Sequence, residues 1–117
     1  MLNEVAQAIF DKKGFNILAL DISEVSTLTD YFLIAEGNVD RHVKAISDEV
    51  IDRLSQLGQK PLHVEGGDSA DWIVLDYGEI LIHLFVPEKR EKYRLEELWH
   101  DGEIVDLKID ITDNESM

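Results

Sequence analysis

The chain has 117 residues, no cysteine, and 25 acidic against 11 basic residues, which gives a formal net charge of -14. This length indicates one domain with enough core to fold without a metal or a disulfide, and the missing cysteine excludes disulfides, thiolate nucleophiles and cysteine-ligated zinc. The negative charge disfavours binding to nucleic acids and to anionic membranes. It either favours binding to a basic partner or serves only to keep the protein soluble.

The first part of the chain predicts one helix and two strands. Apolar residues at helical spacing over 2–13 predict a helix, with Gly14 as its C-cap. Short apolar runs over 16–22 and 31–36 predict strands, and the polar stretch 23–30 between them predicts a loop.

The longest helix is predicted in the middle of the chain. Apolar residues recur with a period near 3.6 over 39–57, Asn38 is the expected N-cap, and Gly58 with Pro61 ends the helix. With the strand before it and an extended segment over 62–65 after it, this helix forms a predicted βαβ unit with two parallel strands.

Two further runs, 72–77 and 80–86, predict a β-hairpin with Gly78-Glu79 as its turn. The turn sets position 75 against 82 and 73 against 84, and side chains then alternate between the two sheet faces. The first face is almost wholly aliphatic and requires a helical cover: Ile73, Leu75, Tyr77, Ile80, Ile82 and Leu84. The second face is mixed: Trp72, Val74, Asp76, Leu81, His83 and Phe85. A three-residue turn would exchange the two faces.

The mixed composition of the second face supports two interpretations. Aromatic side chains among polar groups are typical of the anchors in protein interfaces, and an antiparallel sheet can leave one face uncovered. In that case His83 and Asp76 form an orienting pair on an exposed binding surface. Alternatively, another layer buries this face, with Asp76 and His83 hydrogen-bonded inside it, and His83 is then an ordinary partly buried histidine.

After Pro87, strong helix formers over 88–99 predict a short helix. The alternating apolar and polar residues of 105–111 predict a strand. We therefore divide the chain into a domain over 1–100 and an acidic C-terminal extension over 101–117, which contains an edge strand and then a frayed tail.

The sequence lacks the residues of known catalytic sites. The element order permits a nucleotidyltransferase-like α/β fold with helices mainly on one face of a mixed sheet, but the strand 62–65 supplies only Glu65 where such enzymes need two metal-binding carboxylates. No phosphate-binding Gly-Lys-Ser/Thr loop and no zinc-like histidine spacing occurs. No secretion signal and no apolar run of about 18 residues occurs either, so we expect no cofactor, no metal and a cytoplasmic protein.

Several motifs occur together in the order typical of one family. They are Thr29-Asp30-Tyr31-Phe32-Leu33-Ile34, Gly37 with Arg41-His42-Val43, Val64-Glu65-Gly66, the run from Asp71-Trp72-Ile73 to His83-Leu84-Phe85, and Tyr93 with Leu95-Glu96 and Leu98-Trp99. In these positions the chain resembles the ribosomal silencing factor family, also called Iojap-related. The resemblance covers about residues 2–100, and the segment after His100 lies outside it.

The resemblance implies a nucleotidyltransferase-like fold without the catalytic pair and without enzyme activity. It also implies a homodimer when free, and binding to protein uL14 of the large ribosomal subunit, which blocks joining of the small subunit and represses translation. The implied contact residues are Glu65, Asp71, Trp72, Asp76, His83, Phe85, Arg90 and Tyr93. The alternative function is a nucleotide-binding or nucleotidyl-transferring enzyme that combines Glu65 with an acid from elsewhere in the chain.

Overall fold

A computed structural model describes residues 1–66 and 69–110. These residues form three α-helices and one six-stranded mixed sheet, which confirms the predicted α/β class; the likeness to nucleotidyltransferases stays a prediction. The helices are α1 (Leu2–Asp11), α2 (Asp40–Gln56) and α3 (Pro87–Tyr93). The strands are β1 (Phe15–Asp21), β2 (Tyr31–Glu36), β3 (His63–Glu65), β4 (Trp72–Asp76), β5 (Ile80–Phe85) and β6 (Glu103–Ile104).

The strand order is β3-β4-β5-β2-β1-β6, in which β2 and β5 are parallel and the other neighbours are antiparallel. Because β3 is antiparallel to β4, and β4 to β5, β3 runs in the same direction as β2. The strands before and after α2 are therefore parallel, as predicted. They are not neighbours, however, because the β4–β5 hairpin occupies the middle of the sheet between them.

The hairpin has the predicted register. Leu75 lies opposite Ile82 and Ile73 opposite Leu84, and the Tyr77 N–H donates a hydrogen bond to the Ile80 carbonyl at 2.9 Å. Gly78 adopts a φ of 82°, a left-handed conformation that favours glycine. The turn is therefore Gly78-Glu79, and the two predicted faces are correct.

Helices α1 and α2 cover the aliphatic face. Four α2 residues at helical spacing have no exposed surface: Val43, Ile46, Val50 and Leu54. They belong to one core cluster with Ile73, Leu75, Ile82 and Leu84 of the hairpin. Burial of this contiguous apolar surface is the main stabilising contribution to the fold. Within the described residues, no helix has both the length and the apolar composition needed to cross a bilayer.

The second sheet face is covered along part of its width. The helix predicted over 88–99 breaks at Arg94, whose φ is 46°, into α3 and a 3₁₀ helix, Leu95–Trp99. Leu95 and Trp99 pack against a buried cluster on this face, which consists of Leu20, Ile22, Phe32, Ile34 and Phe85. The expectation of an open face is therefore wrong at Phe85, which has no exposed surface, whereas Trp72 remains partly exposed.

The C-terminal segment pairs with the sheet over a shorter range than predicted. Within residues 101–110, only β6, Glu103–Ile104, forms strand pairs, and the N–H of Val105 adds one bond to the Ala19 carbonyl at 2.9 Å. Beyond it the chain follows α1, where the Lys108 N–H donates to Asn3 Oδ1 at 3.0 Å. The predicted strand 105–111 is thus wrong over its described part, because after Val105 the N–H groups of Lys108 and Asp110 donate to side chains of α1 and not to a strand. The predicted tail over the last five residues lies outside the described residues.

Gln7 is the second α1 side chain that holds this segment. Its Oε1 accepts the Asp110 N–H at 2.7 Å and its Nε2 donates to the Asp110 carbonyl at 3.1 Å. We expect Gln7→Ala to lower the free energy of unfolding by about 1 kcal/mol, because both bonds are solvent-exposed, and to accelerate hydrogen exchange at the Asp110 amide. Gln56→Ala is the matched control, since the Gln56 side chain donates to Asp52 one helical turn away and, among the described residues, to no other group. Equal exchange rates at Asp110 in all three proteins would refute this attachment.

Candidate protein-binding surface

Four ring side chains, which we call the aromatic cluster, meet on the second sheet face: Trp72, His83, Phe85 and Tyr93. Trp72 and Phe85 are cross-strand partners with ring centroids 4.9 Å apart. The Tyr93 ring, from α3, lies 4.7 Å from Trp72, and the His83 ring lies 5.9 Å from it. Such contacts stabilise the rings beyond their burial alone, so the cluster is a preformed surface feature.

Gly66 permits the chain to approach the start of β4. Its φ is 87°, and a Cβ at this position would lie 2.0 Å from the carbonyl oxygen of Trp72. A side chain is therefore excluded on steric grounds and by backbone conformation. The glycine thus brings the end of β3 close to the strand that carries Trp72.

His83 bonds to Trp72 and not to Asp76. The indole N–H of Trp72 donates to Nδ1 of His83 at 3.0 Å, whereas Oδ1 of Asp76 accepts the Gly78 N–H of the turn at 2.8 Å. The predicted pair of Asp76 and His83 is therefore wrong, and the alternative of a hydrogen-bonded interior histidine is correct. Burial lowers the pKa of His83 to about 4, so the ring is neutral near pH 7 and carries its proton on Nε2.

Charged groups border the aromatic cluster. Asp71, which precedes β4, accepts a bond from the Ser69 hydroxyl at 3.1 Å and lies 3.6 Å from the Lys89 ammonium. Glu65 is exposed on β3, where it pairs with Val74 of β4. Asp76 is farther away, four residues along β4 from Trp72, or about 13 Å. The structure therefore places Asp71 beside the cluster, Glu65 opposite the middle of β4 and Asp76 at the end of β4 near the hairpin turn.

Arg90 does not lie on the exposed margin that the sequence predicts. Its side chain is 12% exposed, and its guanidinium contacts Glu36 at 3.1 Å, Glu96 at 3.2 Å and the Asn16 carbonyl. Arg90 therefore attaches α3 and the 3₁₀ helix to the sheet. Of the eight predicted contact residues, Phe85, His83 and Arg90 are largely buried. Tyr93 is 42% exposed.

Two residues that contact the cluster or its border were not predicted from the sequence, one on the neighbouring strand β2 and one on α3. Phe32 of β2 lies 5.1 Å from the His83 ring, and Lys89 pairs with Asp71. The alternation within 31–36 separates Phe32 and Ile34 from Leu33 and Ala35, but it does not reveal that β2 is the parallel neighbour of β5. Only the strand order identifies Phe32 as part of this surface.

The described residues contain no group of three or more histidine or acidic side chains placed to hold a metal ion. Glu65, the single acid that the alternative enzyme hypothesis uses, is exposed at the edge strand β3. What the surface can provide is an aromatic contact area, one neutral histidine and an acidic border. These groups are suited to recognition of another protein.

The profile of the family described as "Ribosomal silencing factor during starvation" matches residues 1–117. The chain is 40% identical to the ribosomal silencing factor RsfS of Bacillus subtilis over 107 residues, which is 92% of this chain and 91% of that protein. A crystal structure of a Chromobacterium violaceum protein matches with a TM-score of 0.81 and 30% identity, covering 92% of this chain and 88% of the other. One from Bacillus halodurans gives a TM-score of 0.80 and 33% identity, covering 91% and 96%. The chain belongs to the ribosomal silencing factor family, also known as the Iojap-related family.

Proposed function

We propose that this protein binds protein uL14 of the large ribosomal subunit through the aromatic cluster and its acidic border. In the bound position it blocks joining of the small subunit sterically and thereby represses translation, without catalysis. The observation that carries this proposal is the partly exposed Trp72 at the centre of the cluster, packed 4.9 Å from Phe85 and 4.7 Å from Tyr93. Aromatic anchors of this kind contribute most of the binding free energy in protein interfaces.

The net charge of the chain supports a basic partner. The chain as a whole carries a net charge of -14. The α3 region next to the cluster is balanced, because its four glutamates, Glu88, Glu91, Glu96 and Glu97, lie among Lys89, Arg90, Lys92 and Arg94. The net negative charge attracts a positively charged protein and accelerates the encounter, and it repels the phosphate groups of nearby ribosomal RNA. The protein component of the subunit interface, not its RNA, is therefore the proposed contact.

The proposal extends to the state of the free protein. We propose a cytoplasmic homodimer, and a 1–100 domain that carries the binding surface with 101–117 as an appended acidic segment. Sucrose-gradient profiling of a lysate tests the central claim. We expect the protein to co-sediment with large subunits, and added protein to lower the peak of joined ribosomes.

Trp72→Ala tests the proposed surface directly. We expect binding to isolated large subunits to weaken by about 2 kcal/mol or more, because the variant removes the central aromatic anchor. Co-sedimentation at a series of protein concentrations measures this change, and circular dichroism verifies that the variant is folded.

Phe10→Ala is the matched control, since Phe10 is a partly exposed aromatic residue on α1. Helix α1 lies against the opposite sheet face, so we expect unchanged affinity. Equal affinities of the wild type and Trp72→Ala would contradict the proposed surface, whereas equal losses in the two variants would indicate a general effect of aromatic truncation.

A further inference from the structure

His83 is held in one orientation by its neighbours. Its ring stacks on Phe85 with an interplanar angle of 12° and a centroid distance of 5.9 Å, and Phe32 lies 5.1 Å away. Nδ1 accepts the Trp72 indole N–H at 3.0 Å. The histidine therefore fixes the direction in which the Trp72 indole projects from β4.

The other ring nitrogen is directed away from this bond and is not enclosed. Among the described residues, His83 Nε2 has no hydrogen-bond acceptor, and it is not one of the buried polar atoms that lack a partner. His83 as a whole is 8% exposed. With Nδ1 accepting, the proton of the neutral ring lies on Nε2, which leaves one N–H donor within an apolar surface.

We propose that His83 is the positioning residue for Trp72 in partner binding, and that its Nε2–H donates a hydrogen bond to a main-chain carbonyl oxygen of the partner protein. The hydrogen bond to the partner, but not the positioning of Trp72, rests on the proposed function. A donor surrounded by rings is costly to bury without an acceptor, so the pairing requires a partner with an oxygen at this point. This requirement adds specificity to an otherwise apolar contact.

The type of acceptor follows from the apolar surroundings of the donor. Phe32, Phe85 and Trp72 surround the His83 ring, and a neutral N–H donor among rings does not compensate the desolvation of a partner carboxylate. A main-chain carbonyl carries no net charge and is present along any backbone. The lowered pKa of His83 is consistent with this role, because a neutral ring keeps Nδ1 free to accept the indole N–H.

The positioning half is tested without a partner, by nitrogen-15 NMR of the full chain. Trp72 and Trp99 are the two tryptophans, so Trp99→Phe assigns the indole signals. We expect the Nε2–H tautomer of His83 between pH 5 and pH 8, and slow solvent exchange of the Trp72 indole proton. An Nδ1–H tautomer, or an indole proton that exchanges as fast in the wild type as in His83→Gln, would overturn the assignment.

Two amide substitutions distinguish the roles of the two ring nitrogens of His83. His83→Asn keeps an acceptor near the position of Nδ1 and loses the outer donor, whereas His83→Gln keeps an outer donor and loses that acceptor. For purified bacterial large ribosomal subunits, we expect His83→Asn to bind roughly five- to tenfold more weakly while the indole signal is retained. We expect His83→Gln to bind more weakly as well, with the indole signal changed.

His100→Asn is the control, since His100 is an exposed histidine after the 3₁₀ helix and contacts the Glu97 carbonyl. A merely structural His83 predicts full affinity for His83→Asn with its indole bond intact, and that result would overturn the donor role. If the wild type does not bind large subunits at all, the proposed function fails and the donor role fails with it. The NMR result on Nδ1 remains independent of that outcome.

Discussion

Arg90→Ala is expected to lower the free energy of unfolding by about 3 to 5 kcal/mol, because it leaves a buried carboxylate without its counter-charge. Glu36, at the end of β2, is 7% exposed. Its Oε2 accepts bonds from the Arg90 guanidinium at 3.1 Å and from the Asn16 amide at 3.1 Å. Chemical denaturation at neutral pH measures the loss, which is a large fraction of the stability of a typical domain.

The same substitution has a consequence for the binding surface. Arg90 also contacts Glu96 of the 3₁₀ helix at 3.2 Å, so its loss removes the Arg90 ion pairs that attach the segment 87–99 to the sheet and leaves its apolar contacts. We expect faster hydrogen exchange in residues 87–99 than in β5, because the sheet core does not depend on this ion pair.

Two further variants test whether the unpaired buried carboxylate causes the loss of stability in Arg90→Ala. Arg94→Ala removes a guanidinium that is 57% exposed and pairs with Glu91, so we expect a loss below about 1 kcal/mol. Adding Glu36→Gln to Arg90→Ala removes the unpaired carboxylate, and we expect it to recover at least about 1 kcal/mol. If the double variant is less stable than Arg90→Ala alone, the explanation by an unpaired buried charge is incorrect.

The spacing of the apolar residues and the residues typical of turns were sufficient to predict most of the helices and strands and the register of the hairpin. The predicted strand 31–36 coincides with β2, and the predicted pair 75–82 occurs. These features follow from the alternation of apolar side chains, because a shift by one residue would move the aliphatic face of the hairpin into solvent. Asn38 shows the limit of local rules: the N-cap of α2 is Val39, which has no capping side chain, and the Asn38 N–H donates to Nδ1 of His42 at 2.8 Å.

The hydrogen bonds within the aromatic cluster could not be predicted, because they depend on contacts between residues that are distant in the sequence. His83 lies opposite Val74, so Trp72 and Asp76 are both its diagonal neighbours at the same separation along β4. The sequence cannot choose between them. Asp76 is excluded because the Gly78 N–H of the turn engages its carboxylate, and Trp72 remains.

Burial of the second face could not be predicted for a similar reason. Arg90 is in a charged helical stretch that is typical of an exposed surface, and nothing near it in sequence indicates that Glu36 is buried 54 residues earlier. The break at Arg94, which turns Leu95 and Trp99 toward the sheet, likewise occurs in a run of strong helix formers. Long-range packing determines both features.

Acid is expected to destabilise the wild type more than His83→Asn, with a difference of up to about 3 kcal/mol. Burial lowers the pKa of His83 from 6.5 to about 4. Between these two pH values the unfolded chain binds a proton at this position and the folded chain does not, so the stability of the wild type decreases as the pH falls. The contribution is fully present above pH 6.5 and is lost at pH 4 and below.

The measurement is the difference in the free energy of unfolding between the two proteins at pH 7.5, 6, 5 and 4. Comparing proteins that differ at one residue cancels the titration of the 25 acidic residues, which begin to gain protons in the same range. Asp76, the carboxylate on the same face nearest along β4, is engaged by the turn in both proteins. A constant difference across the series would mean that His83 titrates equally in the folded and unfolded chains, which would contradict the lowering of its pKa by burial.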